Sequence, residues 1–171
     1  VEAVSGRVNS DIPLTLPGDE AKTLLARAIT MPSDSHPSVN DVKVEEGSYF
    51  QTDEINSIMV EQRFAEYHKL KPGDTVSLTV NEQRVDFEVA GIVTSPEYIW
   101  PAKSRQETFV SPETFGVVFV PQEAMTRLTD DSSINEFCVI VDKGADRGLI
   151  IKETENILEP YSIVRVVPAE E

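Results

Sequence analysis

The sequence predicts an α+β fold: a mixed, strand-rich domain with β-α-β units packed on a sheet, plus a second lobe that contains a β-hairpin. Three observations carry this expectation. Residues 75–80 and 85–90 both alternate apolar with polar, and the polar stretch Asn81-Glu82-Gln83 turns one toward the other, which is the pattern of a hairpin. Val117-Val118-Phe119-Val120 is wholly apolar, as expected for a short strand covered on both faces. From there to residue 167 strand-like and helix-like segments alternate, which suggests helices laid on one sheet.

Taken in order, residues 3–9 alternate weakly and read as a strand. Ile12, Leu14 and Leu16 recur at every second position until Pro17-Gly18 stops the run. Residues 21–30 are ambiguous. Ala21, Leu24, Leu25, Ala28 and Ile29 fall on helical spacing, while the shortness of the run and its passage into Met31-Pro32 fit a strand over 23–30. Residues 33–40 form a polar loop, 55–60 a strand, and 61–68 a short helix expected to bury Phe64, Ala65 and Tyr67. Leu70-Lys71-Pro72-Gly73-Asp74 is a tight turn, because Pro fixes φ and Gly accepts positive φ. The hairpin that follows continues to Ile92.

Beyond residue 120, Pro121 suits the start of a helix over 122–128, where a missing amide hydrogen goes unnoticed. Residues 137–141 read as a strand. A helix over 147–158 phases Leu149, Ile150, Glu153, Ile157 and Leu158 around its axis and ends at Pro160, leaving 162–167 as a closing strand.

A chain of 171 residues suits a single domain over 1–171, or two small lobes sharing a core. Its 40% apolar and 26% charged residues are the profile of a folded protein. The net charge of -15 repels nucleic acid and anionic headgroups, so no nucleic-acid partner is expected. No apolar run approaches the ~20 residues that span a bilayer. The start at Val1-Glu2-Ala3-Val4, with no signal peptide and no initiator Met, is expected of a segment of something larger or of a processed chain. The single Cys138 excludes an internal disulfide, and its setting in Phe137-Cys138-Val139-Ile140-Val141 reads as a small, buried, inert thiol. It leaves the compartment open.

No constellation for catalysis emerges. The phosphate-cradling glycine motifs and the Gly-x-Ser-x-Gly elbow are absent. His36 lies in a polar loop and His68 ends a helix, where a partial positive charge suits the dipole. They lie in different segments, while a zinc site needs three or four convergent ligands. Glu45-Glu46, Asp53-Glu54 and Asp130-Asp131 read as solvated acidic face, and Asp130-Asp131-Ser132-Ser133 lacks the glycine and ligand spacing of a calcium loop. The expectation is no enzyme, no cofactor and no metal. A hydrolase built on paired carboxylates is the contrary reading, which sequence alone does not reach.

Residues 94–116 stand apart. They hold the only Trp, three other aromatics and two basic residues in an acidic chain, and a connection longer than ~12–15 residues is usually functional or mobile. One reading has Tyr98, Trp100, Phe109 and Phe115 pin the loop onto the sheet. The other has Tyr98, Ile99 and Trp100 present an apolar surface to a partner, rimmed by Lys103 and Arg105.

Several stretches together resemble the extracytoplasmic domain of FtsX-like, MacB-type ABC transporter permeases. They are Phe64-Ala65 with Leu70-Lys71-Pro72-Gly73-Asp74-Thr75-Val76, Val89-Ala90-Gly91-Ile92-Val93-Thr94-Ser95-Pro96-Glu97-Tyr98-Ile99, and Phe115-Gly116-Val117-Val118-Phe119-Val120-Pro121. Residues 42–50, with Glu46-Gly47, fit the family's turn before the next strand. The resemblance spans roughly 1–167, tightest over 91–99 and loosest in the N-terminal quarter.

The resemblance implies a non-catalytic domain between the first and second membrane helices of a permease, on the outer side of the cell membrane, periplasmic or extracellular. It implies a mixed α/β lobe and a strand-rich lobe that move when a separate ATP-binding subunit works, so that motion is transmitted to substrate extrusion or to an extracytoplasmic protein partner. A second permease copy is implied through the membrane helices. It also favours a strand over 23–30. The alternative is a cytosolic substrate-binding, β-barrel-like module of an ATPase, since Lys-Pro-Gly-Asp followed by alternating strand also occurs there.

Overall fold

The computed structural model describes residues 1–19, 22–51, 55–98, 111–161 and 166–167. Among them, β1 (Ala3–Arg7) pairs antiparallel with β9 (Glu136–Ile140) in a small sheet. Seven strands make a large one: β2 (Asn9–Thr15), β3 (Thr23–Met31), β4 (Lys43–Gly47), β5 (Ser57–Glu61), β6 (Thr75–Val80), β7 (Gln83–Thr94) and β8 (Phe115–Pro121). Their order is β4-β7-β5-β8-β3-β2-β6, and a further pairing of β6 with β7 closes all but β4 into a ring. Helices α1 (Gln62–His68) and α2 (Gln122–Thr129) follow β5 and β8 directly, while α3 (Arg147–Leu158) follows β9.

Both faces of the large sheet are covered, and this explains its composition. Leu24, Ala26 and Ala28 of β3, Ile58 and Val60 of β5 and Val118 and Val120 of β8 join one apolar cluster with Phe64 and Ala65 of α1 and Ala124 and Met125 of α2. Ile29, Met31, Met59, Val117 and Phe119 point the other way, into a second cluster with Val42, Phe50 and Tyr98. A strand buried on both faces has no reason to alternate. That is why 21–30 imitates helical spacing although β3 is a strand, antiparallel to β2 and parallel to β8. Gly116 is demanded by this packing: a Cβ there would lie 2.6 Å from the Phe64 ring.

The hairpin of β6 and β7 closes through Asn81 and Glu82, both at positive φ (48° and 64°), the twist-matching geometry of two-residue turns. It belongs to the large sheet. So does β4, an edge strand along β7 in the stretch expected to hold only a turn.

Three expectations are corrected. The stretch 3–9 is not one strand: β1 ends at Arg7, β2 begins at Asn9, and the two lie in different sheets. Between them the Val8 amide donates to Thr30 Oγ1 (2.8 Å) and the Thr30 amide donates to the Val8 carbonyl (2.9 Å), so the crossing is tied to β3. The run from 117 onward likewise divides, with β8 inside the large sheet and β9 in the small one, and α3 buries no residue fully. Tyr67 is 51% exposed because Phe64 and Ala65 take up the buried face of α1 and leave Tyr67 beside it, with its ring against His68. Of the closing strand expected over 162–167, residues 162–165 lie outside the described residues, and Val166 and Val167 belong to no strand.

Candidate functional site

The chain passes between the sheets twice, at Val8 and just before Glu136, and a polar cluster gathers there. At its centre is Arg7, the last residue of β1, only 6% exposed. Its guanidinium donates two parallel bonds to Glu97, from Nη1 to Oε2 (2.8 Å) and from Nη2 to Oε1 (2.6 Å). The Nε–H donates to Glu136 Oε2 at 2.5 Å. A forked cation on a carboxylate fixes orientation as well as distance.

Each carboxylate arrives on a different element. Glu136 sits on β9 directly across from Arg7 in the register. Glu97 sits in the 3₁₀ turn Pro96–Tyr98, which follows β7 at the head of the long loop, and its amide is held by Ser95 Oγ (3.3 Å). A third element adds Asn40, whose positive φ of 57° aims its amide so that Nδ2 donates to Glu97 Oε2 (3.2 Å) and lies 3.5 Å from Cys138 Sγ. Asn9 Nδ2 donates to Glu136 Oε2 (3.3 Å). Asn9 and Asn135 then clasp each other, amide to Oδ1 at 2.8 Å and Nδ2 to carbonyl at 3.0 Å. Burial by itself lowers the Arg7 pKa, but the hydrogen bonds and charge of Glu97, then of Glu136, outweigh it and raise the pKa above the ordinary value.

Beside this cluster, Arg27 of β3 pairs with Asp11 (2.9 Å), hydrogen-bonds Tyr98 and stacks 5.6 Å over the Phe115 ring. A shallow polar groove runs there between Asn9, Asp11, Arg27, Asn135 and Glu136.

The residues expected to meet a partner fall unevenly on this frame. Tyr98 is 9% exposed and packs in the second apolar cluster, and burial, aided by the neighbouring charge of Glu97, pushes its hydroxyl up to about 12. Its ring therefore anchors the start of the loop to the core instead of facing outward. Phe115 anchors the far end in the same cluster. Ile99, Trp100, Lys103 and Arg105 lie outside the described residues. Sequence reading missed Arg7, Glu97, Glu136 and Asn40, since no local pattern reports that residues up to 129 positions apart meet.

Both histidines have structural partners. His36 Nδ1 meets Asp41 at 2.9 Å with its ring 4.2 Å from Tyr49, and His68 Nε2 donates to the Pro112 carbonyl (2.8 Å). Burial pushes the Cys138 thiol up, away from reactive thiolate, and the side chain is half-buried where full burial was expected. Among the described residues no three His, Cys, Asp or Glu side chains gather as a metal site, and no helix is long and apolar enough to cross a membrane.

The family model described as MacB-like periplasmic core domain matches residues 1–157. The structure is similar to the periplasmic region of MacB from Actinobacillus actinomycetemcomitans, with a TM-score of 0.58 and 13% identity over 94% of this chain and 67% of that one. It is similar as well to the extracellular domain of the noncanonic ABC-type transporter YknZ from Gram-positive bacteria, at 0.58 and 14% over 94% and 76%. A domain of a putative permease protein from Porphyromonas gingivalis gives 0.55 and 11% over 95% and 71%. No curated protein matches.

Proposed function

The chain belongs to the MacB-like periplasmic core domain family, the extracytoplasmic part of ABC transporter permeases, and from that premise we propose that it couples ATP-driven motion to an event outside the membrane. MacB-type permeases work with ATP-binding subunits. In our reading the domain acts without catalysis of its own, within an assembly that includes a second permease copy. It hands movement on to substrate extrusion or to an extracytoplasmic protein. The cytosolic ATPase-module alternative falls with the family assignment.

The observation that carries this reading is the cluster on Arg7. It joins the first strand of the chain, a strand near its end and the head of the long loop through one buried cation. A transmitter needs distant segments to move together, and such a tie links them. The outward contact falls to Ile99, Trp100, Lys103 and Arg105, with Tyr98 as their buried anchor.

The test uses the full transporter with its ATP-binding subunit, assayed for ATP hydrolysis and for the extracytoplasmic process. Replacing the domain by a short flexible linker is expected to abolish the process while hydrolysis persists. Trp100→Ala is expected to impair the process without lowering the melting temperature. Undiminished output after domain replacement would overturn the coupling reading. A loss of about 3–5 kcal/mol of stability in Trp100→Ala, the cost of truncating a buried aromatic, would make that ring a pin and not a contact.

A further inference from the structure

The small sheet is the least supported part of this molecule. β1 and β9 have only each other as strand partners among the described residues, and a two-stranded sheet is marginal by itself. Val4, Phe137, Val139 and Ile140 stay exposed on it, so apolar packing does little to fix it in place.

Among the described residues its polar ties to the rest of the molecule are specific, and Asn9 Nδ2 donating to Glu136 Oε2 is one of them. Ser38 Oγ donates to the Val4 carbonyl (3.4 Å), Asn40 lies near Cys138, and Asn9 and Asn135 clasp at the crossing. Arg7 alone among these carries a buried charge, and its fork closes on Glu97, at the head of the loop, while its third donor stays on β9.

We infer that Arg7 is a latch that makes β1, β9 and the turn Pro96–Tyr98 one mechanical unit, so that displacement of the small sheet is delivered to the head of the long loop. The geometry is that of a rigid link. Two parallel bonds resist rotation as well as separation, and a desolvated cation has no aqueous alternative if the fork opens. Asn40 braces Glu97 from a second side, which leaves the turn little freedom except to follow Arg7. The latch rests on the cluster that supports the coupling reading and deepens it; its test reads contacts within this chain alone, so its failure is distinguishable from a failure of that reading in the transporter.

Hydrogen exchange on the purified chain, read by mass spectrometry, tests it. Glu97→Gln removes the charge and one of two equivalent acceptors while leaving Arg7 paired with Glu136, and it serves as the main variant because Arg7→Met leaves two carboxylates facing each other. With Glu97→Gln, amides of 95–98, 3–7 and 136–140 are expected to exchange about ten-fold faster together, while 24–31 and 115–121 are unchanged. In Arg7→Met the same three segments accelerate, and adding Glu97→Gln to it produces little further change. Faster exchange confined to 95–98 would overturn the latch. So would unchanged exchange in all three segments, a uniform rise across the large sheet, or additive effects in the double variant.

Discussion

Glu61 shows how a single side chain can serve the fold at some expense. It closes β5 and caps α1, accepting from the Phe64 amide at 3.1 Å, yet it is almost fully buried beneath the helix it starts. Burial raises its pKa above the ordinary carboxyl value, and the amides of Phe64 and Arg63 only partly offset that. The sign of the pH dependence follows. A carboxyl whose folded pKa exceeds its unfolded one holds its proton more tightly in the folded state. Its contribution is therefore most favourable below the unfolded pKa and is lost as pH rises through the folded pKa. Glu61→Gln keeps an acceptor for the Phe64 amide and never ionises. We expect it to melt at or above the wild-type temperature at pH 7, with the difference vanishing near pH 4. A Gln variant clearly less stable at pH 7 would show that the charge, placed at the helix N-terminus, outweighs its burial. The pairing of Phe64 with Ala65 as the buried face was legible from spacing, but the burial of Glu61 was not, because an acidic residue before a helix reads equally well as an exposed cap.

Elements were legible where one neighbour decides their character. β6 alternates because one face meets the first core cluster, and α3 has the bounds its spacing implies. Where two neighbours decide, local pattern misleads. β3 looks helical because it is buried on both sides, and β1 runs into β2 because the change of sheet at Val8 leaves no break in the alternation. β4 escaped notice because an edge strand carrying Lys43, Glu45 and Glu46 looks like a polar loop. Ends of elements also hold strain that sequence does not show. Lys69 ends α1 in the left-handed region at φ 58°, where its amide bonds back to the carbonyls of Ala65 and Glu66. A side chain there is disfavoured by roughly 1 kcal/mol, and glycine removes that penalty at some cost in unfolded-state entropy. Lys69→Gly should accordingly raise stability by up to about 1 kcal/mol in urea denaturation, whereas Lys69→Ala should change little. A destabilising glycine at this position would mean that the Lys69 side chain has a packing role.

At the scale of the whole molecule the two sheets differ in what holds them. The large sheet closes on itself and carries both apolar clusters, so opening one of its central strands exposes core on two faces. The small sheet has exposed apolar side chains on β1 and β9, and α3 after it buries no residue fully, with Ile157 71% exposed. Free energies of local opening scale with the apolar contact that opening destroys. Native-state hydrogen exchange in increasing denaturant should therefore separate the chain into two classes. Amides of β3, β5 and β8 should exchange only through global unfolding, with the full denaturant slope. Those of β1, β9 and α3 should exchange earlier and with a shallower slope, because less surface is uncovered. One common slope for both classes would instead make the chain a single cooperative unit, in which the ties at Arg7 and across the Asn9–Asn135 clasp outweigh the missing apolar support. The acidity of the chain bears on the same comparison. A net charge of -15 gives the surface a repulsion that salt screens, so raising ionic strength should slow exchange in the weakly packed small sheet more than in the large one.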